Sequence, residues 1–283
     1  MHRQIITEKP FDFSKHSTIG CGGIASQAFY PQNEEEVAYL LSAFPNSWVA
    51  VGNLSNVLPS DNGTKRAVIC TKKLTDIHTT SEGVFVSAGV TSGALLRYMK
   101  ETGYSGAEFL AGIPCTLGGI LYMNGGAGGK YIAEIVDSVR VFRGGKTMDL
   151  SVEECVYSYK DSVFMRTDDF ILGGVLRLEK ADRERVEQQI KLWLCKRVHL
   201  PKGKSMGCTF KNPQGISAGG LIEKTGLKGL RIGGAKVSEQ HANFIINDNN
   251  ATAEEIRALI TVIKNAVYAQ YKVSLEEEIR YLD

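Results

Sequence analysis

Apolar and polar residues recur at two different periods along this chain, and together these periods predict a mixture of helices and strands. A helical period is clear in TSGALLRYMKETG. Thr91 or Ser92 is suited to cap the start of this helix, and Gly103 is suited to end it. The residues expected on its buried face are Leu95, Leu96 and Met99.

The helical period returns in the second half of the chain. In ADRERVEQQIKLWLCKRV, Val186, Ile190 and Leu194 recur every fourth residue and predict a buried stripe. Thr252 and Glu255 form a capping box, which predicts the start of a long helix near the C-terminus. The residues expected on its buried face are Ile256, Leu259, Ile260, Ile263 and Val267.

Short apolar runs between turn residues predict strands, and the tail VSLEEEIRYLD predicts a final edge strand. Strands and helices do not alternate regularly and no internal repeat is present, so the predicted class is α+β. The length of 283 residues exceeds that of a usual single core. We expect three segments, residues 1–70, 71–195 and 196–274, with the tail 275–283 returning to the first.

Composition excludes several classes of function. The net charge of +2 does not indicate a nucleic-acid or membrane-surface partner. The N-terminal residues lack an apolar secretory core, and no run is long enough to span a membrane. The six cysteines are far apart and the five histidines are scattered, so we expect reduced cytosolic thiols and no metal.

Two glycine-rich loops are candidates for holding an anion. No G-x-G-x-x-G opens a helix, and GGAGGKY is not a P-loop because Asn124 and Tyr131 replace its required glycine and hydroxyl residue. GNLSN (52–56) and GIPCTLGG (112–119) can instead expose backbone N–H groups to a pyrophosphate, with Thr116 as a helix cap. Tight turns in a glycine-rich sheet remain the alternative.

The same loops belong to a longer series of motifs in collinear order. The series resembles the UDP-N-acetylenolpyruvoylglucosamine reductase family, also called UDP-N-acetylmuramate dehydrogenase, in its shorter form. The motifs that carry this resemblance are HSTIGCGG (16–23), VGNLSNVLPSDNG (51–63), EFLAGIPCTLGG with MNGGAGG (108–129), YSYKDSVF (157–164), GCTFKNP (207–213), SAGGLIEKTGLKGLRIGGAKVSEQHANFIIN (217–247) and LEEEIR (275–280).

The resemblance implies non-covalent FAD in a fold of the vanillyl-alcohol-oxidase type. The first two segments would be two FAD-binding subdomains, and the third would bind substrate. NADPH would reduce the flavin, and UDP-N-acetylglucosamine enolpyruvate would then be reduced to UDP-N-acetylmuramate. This implies an oxidoreductase of peptidoglycan synthesis, serving cell wall biogenesis, cell shape and cell division in the cytoplasm, with a monomer favoured.

The resemblance also assigns three catalytic positions. Cys208 stands where the family usually has a serine that protonates carbon, and a thiol is the stronger acid. Lys160 replaces an arginine that grips the substrate carboxylate, with Arg166 or Arg231 as further candidate cations. Glu278 would hydrogen-bond the enolic carboxylate while protonated, which requires a raised pKa. The alternatives are a packed cysteine, a solvated lysine and a charged edge strand.

Binding residues carry over more loosely. Asn53 and Leu54 stand where the family more often has glycine. Tyr159, Lys211 and Asn212 are expected to face the UDP-sugar. The residues expected to contact FAD are Gly52, Asn53, Leu54, Ser55, Asn56, Gly112, Ile113, Thr116, Gly118, Gly119, Asn124, Ala127, Gly128 and Arg231.

Two other functions stay open at this point. The chain could be a related flavin oxidoreductase with another substrate, although no motif for a covalent FAD tether stands out. It could also be a paralogue that binds flavin or nucleotide and has lost or altered catalysis. Lys160 and the GNLSN loop favour the second alternative.

Overall fold

The computed structural model describes residues 5–283. Its α-helices are α1 (Phe13–His16), α2 (Glu34–Ala43), α3 (Ser92–Thr102), α4 (Leu117–Tyr122), α5 (Arg183–Cys195), α6 (Ala218–Lys224) and α7 (Ala253–Tyr271). Its strands are β1 (Ile6–Glu8), β2 (Phe11–Asp12), β3 (Ile24–Ala25), β4 (Ala28–Tyr30), β5 (Trp48–Val51), β6 (Val57–Pro59), β7 (Ala67–Cys70), β8 (Ile77–Thr79), β9 (Val84–Ser87), β10 (Tyr104–Ser105), β11 (Gly126–Ala127), β12 (Lys130–Tyr131), β13 (Val136–Arg143), β14 (Lys146–Ser151), β15 (Phe170–Leu176), β16 (Glu179–Lys180), β17 (Ser205–Cys208), β18 (Arg231–Ile232), β19 (Ala235–Val237), β20 (Phe244–Asn247) and β21 (Arg280–Leu282).

The chain divides into two compact units that exchange segments along the sequence. The first unit contains residues 5–8, 27–53 and 66–198. The second contains residues 9–26, 54–65 and 199–283. The three-part division expected from the sequence stays a prediction.

The first unit contains two main sheets. The smaller has the strand order β1-β4-β7-β5, and the larger is antiparallel with the order β14-β13-β15-β9-β8. One apolar cluster includes Ile69 of β7 together with Phe170 and Leu172 of β15. The core is therefore continuous across residue 70, where the sequence predicted a boundary.

The helices of the first unit confirm one prediction and correct another. Thr91 caps α3 by accepting a hydrogen bond from the Ala94 N–H, and Gly103 ends the helix in the left-handed conformation. In α5 only Val186 is fully buried. Leu194 is 44% exposed, so the predicted stripe does not extend to the end of the helix.

The second unit is built around the sheet β17-β20-β19-β18 and the helix α7. The capping box of Thr252 and Glu255 forms as predicted, and every residue expected on the buried face of α7 is buried. Asp61 also accepts hydrogen bonds from the Ala253 and Glu254 N–H groups at the start of this helix.

The C-terminal tail forms a strand only over β21. This strand pairs in parallel with β6, and Arg280 lies opposite Val57. The five residues before it form no ladder, apart from a bridge between Glu277 and Phe210, and Ile279 lies in a bend. Within residues 5–283, none of the helices is long and apolar enough to cross a membrane.

Candidate functional site

In the first unit, the loop after β5 meets the residue that precedes α4. An ideal Cβ on Gly52 would lie 2.2 Å from Thr116 Oγ1, so only glycine fits at this position. Thr116 is 1% exposed, and its Oγ1 is one of three buried side-chain polar atoms without a hydrogen-bond partner among the described residues. Buried hydroxyls are normally paired, so this one fits a polar ligand such as a phosphate oxygen.

Thr116 also corrects a prediction. It occupies the N-cap position of α4, but its side chain makes no capping hydrogen bond. The α4 backbone is partly satisfied elsewhere, because the Gly118 N–H donates to Ala88 O at 2.8 Å. A Cβ on Gly118 would lie 3.0 Å from Ala88 Cβ, so this glycine permits close packing and its amide is already paired.

The other predicted FAD-binding residues of the GIPCTLGG loop lie in different surroundings. Gly112 adopts a φ of +74°, and a Cβ there would lie 3.3 Å from the Arg197 side chain. Ile113 is partly buried and packs against the core. Gly119 is close to the unpaired hydroxyl, since its ideal Cβ would lie 3.6 Å from Thr116 Oγ1.

The GNLSN loop is held at several points. Asn53 Nδ2 donates to Pro114 O at 3.2 Å, which ties the two predicted anion-binding loops together. Leu54 is 3% exposed and has a φ of +50°, a conformation that is uncommon for a residue with a branched side chain. Ser55 is half-buried.

The segment GGAGGKY forms a hairpin. Ala127 lies opposite Lys130, and the turn residues Gly128 and Gly129 both have positive φ. A Cβ on Gly128 would lie 2.7 Å from the Trp193 ring, so the hairpin packs against α5. The prediction that this segment is not a P-loop is confirmed.

Asn124 has a structural role that the sequence did not indicate. It is 5% exposed, its Nδ2 donates to Ser158 O at 2.8 Å, and its Oδ1 accepts from the Ala133 N–H at 3.2 Å. Both ends of the amide are thus paired within the chain. Asn124 therefore braces the turn that carries Tyr159 and Lys160.

That turn places Lys160 at its tip. Ser158 and Asp161 exchange backbone hydrogen bonds of 3.1 and 3.3 Å, which closes a tight loop over Tyr159 and Lys160. Lys160 has a φ of +56°, a strained conformation for a residue other than glycine. Arg166 pairs with the Asp161 carboxylate at 2.7 Å, so this cation is engaged at the base of the turn.

In the second unit, Cys208 is the last residue of β17. It lies opposite Phe244 of β20, and a bulge separates it from Ser205. Gly207 has a φ of +77° with no atom within 4 Å of its ideal Cβ, so the chain turns in open space just before the thiol. Cys208 is consequently half-buried.

Glu278 is held beside this strand by its backbone. The Glu278 N–H donates to Thr209 O at 2.8 Å, so the tail lies against the residue next to Cys208. The Glu278 carbonyl accepts from Asn56 Nδ2 at 3.0 Å. The structure thus brings the backbone of Glu278 beside the segment that contains Cys208, although the two residues are distant in sequence.

The neighbouring glutamates have other partners. Glu276 pairs with Lys211 at 2.5 Å, and Glu277 pairs with Lys264 of α7 at 2.7 Å. Both ion pairs therefore involve glutamates other than the candidate Glu278.

Asn243 is a residue that the sequence reasoning missed. Its side-chain amide bonds to both backbone groups of Phe210, at 2.9 Å to the N–H and 2.8 Å to the carbonyl. The Thr209 N–H also donates to Asn243 O at 2.7 Å. Asn243 lies in the quoted 217–247 motif, but only the tertiary pairing shows that it holds the chain just after Cys208.

The remaining predicted residues are engaged within the second unit. Asn212 Oδ1 accepts from the Ala218 N–H at 3.0 Å, so this side chain supports the start of α6. Arg231 forms an ion pair with Asp248 on the sheet surface. The predicted contacts of Asn212, Lys211 and Arg231 with substrate or flavin stay predictions.

Burial separates the cysteines into two groups. Desolvation raises the pKa of Cys21 and of Cys115 to about 12, and that of Cys155 to about 11. Cys208 is half-buried and Cys195 is exposed. Within residues 5–283, no cluster of three His, Cys, Asp or Glu side chains is suited to a metal ion.

Comparisons with known proteins identify the family. The family described as "UDP-N-acetylenolpyruvoylglucosamine reductase, C-terminal domain" matches residues 197–282, and that described as "FAD binding domain" matches residues 25–151. The reductase of this name from Pelobacter propionicus is 34% identical over 99% of this chain and 96% of its own. The chain belongs to the UDP-N-acetylenolpyruvoylglucosamine reductase family.

Further relatives agree with this membership. The enzyme of the same name from Thermosipho melanesiensis is 37% identical over 93% of this chain and 91% of its own. The crystal structure of UDP-N-acetylenolpyruvylglucosamine reductase from Thermus caldophilus matches with a TM-score of 0.86 and 31% identity, over 99% of this chain and all of that one. The predicted α+β fold with an FAD-binding part is therefore confirmed.

Proposed function

We propose that this chain reduces the enolpyruvyl group of UDP-N-acetylglucosamine enolpyruvate to give UDP-N-acetylmuramate, a precursor of peptidoglycan. It is an FAD-dependent oxidoreductase, and NADPH is the reductant. The observation that carries this proposal, beyond family membership, is the hydrogen bond between Thr209 O and the Glu278 N–H. That bond places the segment containing the thiol beside the C-terminal glutamate, as an acid and a carboxylate-binding group require.

The first unit contains residues that fit FAD. The unpaired Thr116 hydroxyl could donate to a diphosphate oxygen. Gly52 has no side chain, so its backbone could come close to the same group. Gly119 and Asn53 would complete this diphosphate site, which would then need no lysine side chain. When bound, the flavin supplies the hydride chemistry. The protein must bind the substrate, stabilise the charge that develops and supply the proton.

Cys208 is proposed as the general acid. Hydride addition to one carbon of the enolpyruvyl double bond leaves negative charge on the other carbon and its carboxylate. Cys208 Sγ–H transfers its proton to that carbon, and solvent then reprotonates the thiolate. A thiol with a reference pKa of about 8.5 is a far stronger acid than a serine hydroxyl.

Glu278 and Lys160 are proposed to act on the substrate carboxylate. Glu278 would hydrogen-bond to it as charge accumulates, which favours the enolic form. Lys160 would supply a positive charge from the tip of its turn, without the paired donors of an arginine. Tyr159 and Lys211 are proposed to bind the UDP-sugar.

Two extensions complete the proposal. We propose that the enzyme works in the cytoplasm and as a monomer. Its product would supply the cell wall, and this supply affects cell shape and cell division. A flavin-binding paralogue without turnover is the second candidate, favoured by the strained Lys160 in place of arginine. The two candidates differ in whether the sugar is consumed.

Absorption spectroscopy tests the proposed function directly. The purified protein should carry flavin that heat releases, and NADPH should bleach its absorbance. Adding the enolpyruvyl sugar without oxygen should restore the absorbance with one product formed per flavin. A protein that bleaches but does not recover with the sugar would be the paralogue, and a protein that takes up no FAD would exclude both candidates.

A further inference from the structure

Asn56 was expected to contact the flavin pyrophosphate, but its hydrogen bonds connect it to the C-terminal tail. Asn56 Nδ2 donates to the Glu278 carbonyl at 3.0 Å. The Asn56 carbonyl accepts from the Arg280 N–H at 2.9 Å. One residue thus binds the tail at two points on either side of Ile279.

The bond from the Asn56 amide holds the tail just before its regular pairing with β6 begins. The β6–β21 ladder begins only at Arg280, so Glu278 lies just outside it. On its other side, Glu278 is bound through its N–H to Thr209 O. Its backbone is therefore fixed at both polar groups, and this determines the direction of its Cα–Cβ bond.

The ion pairs of the same segment constrain it less. The Glu276 side chain is 71% exposed in its pair with Lys211, and exposed ion pairs contribute little. The pair between Lys264 and Glu277 holds the residue before Glu278. The Asn56 amide is a side-chain donor that reaches the backbone of Glu278 itself.

We propose that Asn56 is a positioning residue for Glu278, acting on the sugar-reducing step rather than on the reduction of flavin by NADPH. The inference rests on the role proposed above for Glu278. Asn56 would hold the carboxyl group in the orientation that meets the substrate carboxylate. Loss of its amide donor would leave the Glu278 carbonyl without this partner and allow the residue to rotate.

The test compares Asn56→Asp with the unmodified holoenzyme in stopped-flow experiments on each half-reaction. The substitution keeps the shape but replaces the donor with an oxygen that repels the Glu278 carbonyl. We expect the sugar-dependent reoxidation rate at saturation to fall about tenfold or more, as for a lost hydrogen bond to a positioned group. Flavin content and the NADPH bleaching rate should change less than about threefold on the same grounds.

Asn265→Asp is the matched control, because Asn265 is an exposed amide on α7 and the change in charge is the same. It should leave both half-reactions unchanged. If Asn56→Asp instead weakens FAD binding while reoxidation per bound flavin stays normal, Asn56 is only a cofactor contact and the proposal is wrong. Asn56→Ala should show the same selectivity with a smaller loss, since it removes the donor without repulsion.

A second measurement does not depend on turnover. Hydrogen exchange of the peptide covering residues 275–283 should be about tenfold faster in Asn56→Asp, because the Glu278 carbonyl loses its side-chain donor and the segment then opens more often, although the backbone acceptors of the Glu278 and Arg280 amides remain. Unchanged exchange in this peptide would overturn the positioning role even if the protein proved inactive. Failure of the unmodified protein to reduce the sugar would instead overturn the proposed function.

Discussion

Thr116 in the first unit and Cys208 in the second are both small polar residues beside glycines, but their surroundings differ. Thr116 is 1% exposed and packed so closely against Gly52 that a single carbon would not fit between them. Cys208 is half-buried after a glycine with open space around it. The role predicted for the first region depends on the shape of its backbone, whereas the role predicted for the second depends on the chemistry of one side chain.

The largest expected effect comes from removing that side chain. Cys208→Ala should slow reoxidation by the sugar about 10²–10⁴-fold, because a positioned general acid contributes that much. NADPH bleaching should remain, since the predicted FAD-binding loops of the first unit are unaltered. Cys208→Ser should keep much of the activity, and normal sugar turnover in the alanine variant would show that another group is the acid.

Thiol labelling compares the same two regions without mutation. Cys115 lies in the second predicted anion-binding loop, where it is buried and desolvation raises the pKa of its thiol, so an alkylating reagent finds neither access nor a ready thiolate. We expect an alkylating reagent to modify Cys195 and Cys208 in the native protein much faster than Cys115. The sites are identified by peptide mass. Equal labelling of Cys115 would mean that this loop opens in solution.

A smaller effect is expected from filling the space at Gly52. In Gly52→Ala the new Cβ would approach Thr116 Oγ1 to 2.2 Å, so the loop must shift and FAD should bind at least about tenfold more weakly. Titration of heat-stripped protein with FAD measures this change. Gly93→Ala in α3 is the control, because no atom lies within 4 Å of its Cβ. Equal affinity in both variants would contradict the predicted diphosphate contact.

The smallest effect is expected at Lys160. Lys160→Arg should change the KM for the sugar less than about threefold, because the charge is kept and a forked donor is gained. Lys160→Met, which removes the charge, should raise this KM more than the arginine variant does. Steady-state kinetics with each variant provide the measurement. A large loss with arginine would show that the turn with its φ of +56° is built around lysine.

Much of the fold could be predicted from local patterns. The start of α3 at Thr91, its end at Gly103 and the capping box of α7 follow from residues near each other in the chain, so the sequence displays them directly. The prediction failed for Leu194, because the spacing of a stripe does not show how far the partner surface extends. The motif order also indicated the candidate residues, but not their hydrogen-bond partners.

By itself, the sequence determined the residue types that we propose carry the chemistry, namely a thiol after a glycine and a glutamate near the end of the chain. Only the tertiary structure decided that Asn56, 222 residues before Glu278, donates to its backbone, and that Asn124 and Asn243 brace other loops. The physical reason is that an amide side chain can pair with any nearby backbone group. Its partner is therefore chosen by the strands that folding brings together.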